Sequence, residues 1–159
     1  MAGKSPTSRT LHFVLPGTVR IKKNSRRIFK RGKRTINIPS VAYEEWETSV
    51  RWMIVEQIKN YWSDFKLLTG PIHVKAIHYY KGQQPDLSGM IESVGDAFEG
   101  MLWKNDKQIQ SWDGSRQIHD KDNPRLCLWV EEFGCSDLMS EESEIMLDQM
   151  SNNYKQSKK

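Results

Sequence analysis

Pro85-Asp86-Leu87-Ser88-Gly89-Met90-Ile91-Glu92-Ser93-Val94-Gly95-Asp96-Ala97-Phe98 is the stretch on which the fold turns. Its apolar residues Leu87, Met90, Ile91, Val94 and Phe98, continued by Met101, fall on one stripe of a helical wheel, with Glu92, Asp96 and Glu99 opposite. The spacing predicts a helix over about Leu87–Met101. Upstream, the run Ile-His-Val-Lys-Ala-Ile-His-Tyr-Tyr at 72–80 reads as a strand, and residues 108–119 read as another. The result is a strand–helix–strand unit with Asp86 just after the first strand and Asp106 just before the second. Both carboxylates are expected at the same end of the sheet. Carboxylates from separate elements suit a hard divalent cation, which needs oxygen ligands. Beside a phosphate, such a cation activates water and stabilises the leaving oxygen.

Outward from this unit, residues 11–15 alternate like a strand and stop at Pro16-Gly17. Pro39-Ser40 opens a helix, with Ser40 as N-cap and Glu44, Glu45 and Glu47 near its positive end. Tyr43, Trp46, Val50, Met53, Ile54, Ile58 and Tyr61 recur at helical spacing until Gly70-Pro71 breaks the chain. After the turn Asp-Lys-Asp-Asn-Pro, the last strand (125–132) contains Leu126-Cys127-Leu128-Trp129-Val130, apolar on both faces as in a central strand. The tryptophans, Trp46 and Trp129 in particular, are expected in the core, and His73 and His78 on a strand surface. The fold expected is mixed α/β (α+β): one domain over 1–133, with a mixed sheet of about four to five strands packed by two main helices. Residues 134–159 are expected to be an acidic polar tail, disordered or partly helical, whose acids either solvate it or lie across the basic arm.

Charge is distributed unevenly. The net charge of +4 conceals a segment, residues 1–39, with eleven Lys or Arg and no acid. Nine cations fall between Arg20 and Arg34: Arg20, Lys22, Lys23, Arg26, Arg27, Lys30, Arg31, Lys33 and Arg34. Their mutual repulsion is relieved by a phosphate backbone, with release of condensed counterions. The basic arm, residues 18–38 with Gly32 at a hairpin tip, is therefore read as a nucleic-acid contact that works by shape and charge rather than base sequence. A solvated loop or a targeting signal are the plainer readings. Apolar residues at 37% indicate an ordinary globular chain. No apolar run is long enough for a bilayer, no secretory signal is evident, and a cytoplasmic protein is expected. Cys127 and Cys135 are too few for a disulfide framework, and the scattered histidines offer no zinc spacing.

Together, Leu-Pro-Gly at 15–17, Lys-Lys-Asn-Ser-Arg-Arg at 22–27, Pro-Ser-x-x-Tyr-x-x-Trp at 39–46, Pro-Asp-Leu-Ser at 85–88, Asp-Ala-Phe at 96–98 and Asn-Asp-Lys-Gln-Ile at 105–109 make the chain resemble the RusA-type Holliday junction resolvases. The resemblance spans roughly residues 11–132. It implies a mixed α/β homodimer, phage- or prophage-encoded in some members, that nicks opposite strands of a four-way junction with Mg²⁺ or Mn²⁺. The family's Asp-Leu-Asp-Asn motif and later aspartate fall on Asp86 and Asp106. Its second aspartate falls on Ser88 and a lysine of some members on Glu92, both departures. Ser88 and Glu92 are four apart on one helix face. Glu92 is therefore expected to supply the missing carboxylate, with Ser88 orienting it or a metal-bound water, and Lys104 or Lys107 to replace the lysine's phosphate contact.

Each residue also has a plainer reading. Asp86 is placed as an N-cap, Asp106 as a turn residue, Glu92 and Glu99 as solvated charges, and Asp96 as a structural residue. The reading adopted is a metal-dependent, structure-selective endonuclease using Asp86, Glu92 and Asp106. Its rivals are a branched-DNA-binding protein without catalysis and an interaction module whose basic arm docks an acidic partner. No membrane partner is expected.

Overall fold

Strict alternation along Leu11–Pro16 buries Leu11, Phe13 and Leu15 and leaves His12, Val14 and Pro16 outside, which makes this segment strand β1 of the computed structural model. The structure describes residues 10–22 and 27–132. The further elements are β2 (Arg27–Arg31), β3 (Arg34–Ile38), α1 (Val41–Tyr61), β4 (Ile72–Tyr80), α2 (Leu87–Ala97), β5 (Ile109–Ser111), β6 (Arg116–His119) and β7 (Arg125–Glu132). Helix α1 starts where expected: the Ser40 hydroxyl accepts from the Tyr43 amide at 3.1 Å. It buries Tyr43, Trp46, Val50 and Ile54. No helix among the described residues is long and apolar enough to cross a membrane.

The mixed five-stranded sheet runs β1-β7-β4-β5, and β6 also pairs with β4. β7 is antiparallel to both β1 and β4. β5 and β6 are parallel to β4 at different heights: Ile72 faces Ile109 at its start, while Ile77–Tyr80 face Arg116–His119 at its end. The segment expected as one strand over 108–119 is thus two. A turn at Gly114 (φ 80°) separates them, and the Ser115 hydroxyl accepts from the Ala76 amide there at 3.0 Å. A Cβ on Gly114 would stand 2.8 Å from the Lys75 side chain, so the site suits glycine in both space and φ.

Helix α2 is shorter than its periodicity predicts. It ends at Ala97, and a tight turn through Gly100 (φ 80°) returns the chain so that the Gly100 amide donates to the Trp103 carbonyl at 2.7 Å. Phe98, Leu102 and Trp103 are fully buried with Met90, Val94, Phe13 and Leu128. Each such large apolar side chain contributes about 1.5–3 kcal/mol by leaving water. Two expectations are corrected. Trp129 is only half-buried, stacked on His12 at 4.8 Å with the Lys75 ammonium over its ring, and the fully buried tryptophan is Trp103. His78 is not on the surface but wholly buried, and His73 is half-buried against Glu131 at 2.9 Å.

β2 and β3 form a separate two-stranded sheet. Arg31 pairs with Arg34 across Gly32-Lys33, and Gly32 (φ 64°) alone has positive φ, as a type II′ hairpin turn requires. Glycine does stand at the tip. The tail from residue 134 onward lies outside the described residues.

Candidate functional site

The two aspartates singled out by sequence sit at opposite ends of α2. Asp86 caps its N-terminus: one carboxylate oxygen accepts from the Gly89 amide at 3.2 Å and from the Ser88 hydroxyl at 2.7 Å. Ser88 is therefore engaged with Asp86, in a role different from the one expected of it. Asp106 lies beyond the other end, three residues before Ile109, which faces the start of β4. Asp86 follows the end of β4. The expectation that both lie at the same end of the sheet is therefore corrected. A helix that packs back along its sheet carries the chain the full length of the strand before the next parallel strand begins, and the ten residues from Asp86 to Asp96 rise about 15 Å.

At its own end Asp106 meets two acids that the sequence reading had set aside. Oxygens of Asp96, Glu99 and Asp106 all lie within 4.8 Å of one another, the first two side chains half-buried and the third exposed. The Asp106 amide approaches a Glu99 carboxylate oxygen at 3.4 Å. The reverse turn through Gly100 makes this meeting possible. The Arg51 guanidinium holds it by donating to the Glu99 carbonyl at 3.1 Å and to Glu47 at 3.3 Å. Lys22 reaches Asp96 at 3.0 Å. Below, Tyr43 is 1% exposed; burial first, then the Glu47 and Asp96 carboxylates, push its hydroxyl far above the ordinary value of 10, so it stays protonated. Three carboxylates at this spacing are a hard-oxygen donor set suited to a divalent cation. Glu92 stands four residues from Ser88 and four from Asp96, on the helix face joining the two ends. Lys104 and Lys107 are exposed and flank Asp106.

The Asp86 end opens on a cleft of about 350 Å³, lined among others by Arg20, Ser40, Lys81, Gln84 and Asp86. Here a sequence-assigned acid and a residue of the basic arm share a concavity. Lys81 was missed by the sequence reading, since a lone lysine just past the end of β4 gave no signal for it.

The arm divides. Lys30, Arg31, Lys33 and Arg34 are exposed on the hairpin. Arg27 is tied to Glu44 at 2.9 Å and to the Pro39 carbonyl at 3.0 Å, and Lys22 is held by Asp96. These two anchor the arm to the body. Lys23 and Arg26 lie outside the described residues.

The family model for Endodeoxyribonuclease RusA matches residues 16–131. No curated protein matches the chain.

Proposed function

The chain belongs to the RusA endodeoxyribonuclease family, and from that premise we propose a divalent-metal-dependent enzyme that nicks opposed strands of four-way DNA junctions as a homodimer. The observation that carries this reading is the meeting of Asp106 with Asp96 and Glu99 at oxygen-ligand spacing, beside exposed lysines. These three acids would hold Mg²⁺ or Mn²⁺, which when bound supplies an activated water and stabilises the leaving oxygen. The remaining work belongs to the chain. Lys104 and Lys107 draw a phosphate towards the acidic cluster. Lys30, Arg31, Lys33 and Arg34 hold the DNA arms through the backbone, without base readout.

A second arrangement is favoured by one observation, the separation of Asp86 from Asp106 along α2. A site containing both requires two chains, and a twofold dimer would form two such sites, one for each opposed strand. Glu92, on the face between the two ends, would then serve either site.

Mixing experiments test both arrangements. Asp106→Asn is expected to lose junction nicking in Mg²⁺ by at least about 100-fold in either arrangement, and Asp86→Asn to do so only where the site is shared between chains. Co-refolded together, they regain partial activity if the site is shared between chains, because one of the two sites in a mixed dimer is then intact. Wild-type nicking by Asp86→Asn, with Asp96→Asn as damaging as Asp106→Asn, marks the site as lying within one chain. Full activity in Asp106→Asn alone would exclude both.

A further inference from the structure

Beneath the cleft at Asp86 runs a chain of hydrogen bonds whose polarity is fixed throughout. Gln117 Nε2 donates to the Pro85 carbonyl oxygen at 2.7 Å. A carbonyl can only accept, so the Gln117 amide has one orientation, with Oε1 turned to His78 Nδ1 at 3.1 Å. Oε1 also only accepts, so Nδ1 carries the ring proton. Nε2 is then bare, and it accepts the Val19 amide hydrogen at 3.1 Å. His78 and Val19 are 0% and 2% exposed, so water does not compete for these bonds. The parallel register of β4 and β6 sets His78 directly opposite Gln117.

The ends of this chain are the two walls of the cleft. Pro85 precedes Asp86, and Val19 precedes Arg20; all four line the cavity. Burial requires both ring nitrogens to be satisfied, and here the groups that satisfy them lead directly to the backbone of the two cleft walls. We infer that His78 and Gln117 are positioning residues: the neutral Nδ1–H imidazole and the amide fix the separation of Asp86 and Arg20 across the cleft, and through it the rate of strand cutting. The inference goes beyond the nuclease reading and rests, for its activity readout only, on the arrangement in which Asp86 is part of the site.

Gln117→Met in the full chain tests this, since it keeps side-chain length and removes both amide bonds. Single-turnover nicking of a four-way junction in Mg²⁺ is expected to fall by about 10- to 100-fold, the usual effect of misplacing a reacting group by an ångström. Junction affinity is expected to stay within about threefold of wild type, because the exposed hairpin carries it. Nitrogen NMR of the ring is expected to show the Nδ1–H tautomer at neutral pH, with the Val19 amide protected from exchange in wild type and less protected in Gln117→Met. Wild-type nicking by the variant, affinity lost in step with rate, or an Nε2–H ring would each overturn the inference. If the wild-type protein cuts no junction, the nuclease reading falls, and the ring tautomer and Val19 protection still decide the relay.

Discussion

Asp86 illustrates how one residue satisfies two readings. As an N-cap it stabilises α2 by about 0.5–2 kcal/mol, and the same carboxylate lines the basic cleft. The cleft depends on the fold, but the cap was legible from Pro-Asp-Leu-Ser. Asp96 and Glu99 were not. On a helical wheel their charges are the same as solvated ones, and only the turn at Gly100 brings them to Asp106. His78 was misread for a different reason: it shares the inward face of Ile72, Val74 and Ala76, where alternation puts it in the core, and only its polar ring suggests a surface position; Ile77, on the opposite face, is the residue that breaks the alternation. Burial depresses the His78 pKa below its ordinary 6.5, opposed by the Gln117 bond. The unfolded chain therefore takes up a proton near pH 6.5 that the folded chain refuses. The stability this contributes is fully present above pH 6.5 and is lost as pH falls through the depressed folded value. Urea unfolding at pH 7.5 and pH 5 is expected to show a larger loss in wild type than in His78→Gln, which cannot be protonated. Equal losses would show that His78 does not titrate between the two states.

At the level of elements, the helices were the clearest part of the sequence. Their period and the Ser40 and Asp86 caps gave the starts correctly, since a cap is a local interaction. Their partners across the sheet were less clear. Residues 108–119 look like one strand, yet parallel pairing to two heights of β4 requires a break, and that requirement comes from β4 rather than from the segment itself. The β2–β3 hairpin was readable from Gly32 amid cations, although not its separation from the main sheet. Arg27, held by Glu44 and Pro39, sets the hairpin against the start of α1 and leaves Lys30, Arg31, Lys33 and Arg34 exposed, as the proposed phosphate contacts. Changing these four to Ala removes four possible counterion releases, so the log–log salt dependence of junction binding is expected to flatten by roughly 3 to 4 units. An unchanged slope in a salt titration would show that the hairpin points away from DNA.

For the molecule as a whole, charge and topology act together. A cationic arm is carried by a body with more acids than bases, and α2 spans from the cleft holding Asp86 to the acidic cluster at Asp106. One chain thus presents two chemically distinct ends, a basic concavity and a carboxylate cluster, and the proposed homodimer would double both for a substrate with two equivalent strands to cut. The family assignment was legible because its motifs are contiguous in sequence. The arrangement of the acids was not, because it depends on how far the crossover carries the chain. The most direct measurement is cleavage of a synthetic four-way junction beside a linear duplex of the same sequence, in Mg²⁺ and in EDTA, by wild-type and Asp106→Asn protein. The account predicts paired, symmetrical nicks in the junction alone, in Mg²⁺ alone and by wild type alone. Tight junction binding without nicks in Mg²⁺ or Mn²⁺, or equal cutting by Asp106→Asn, would contradict it.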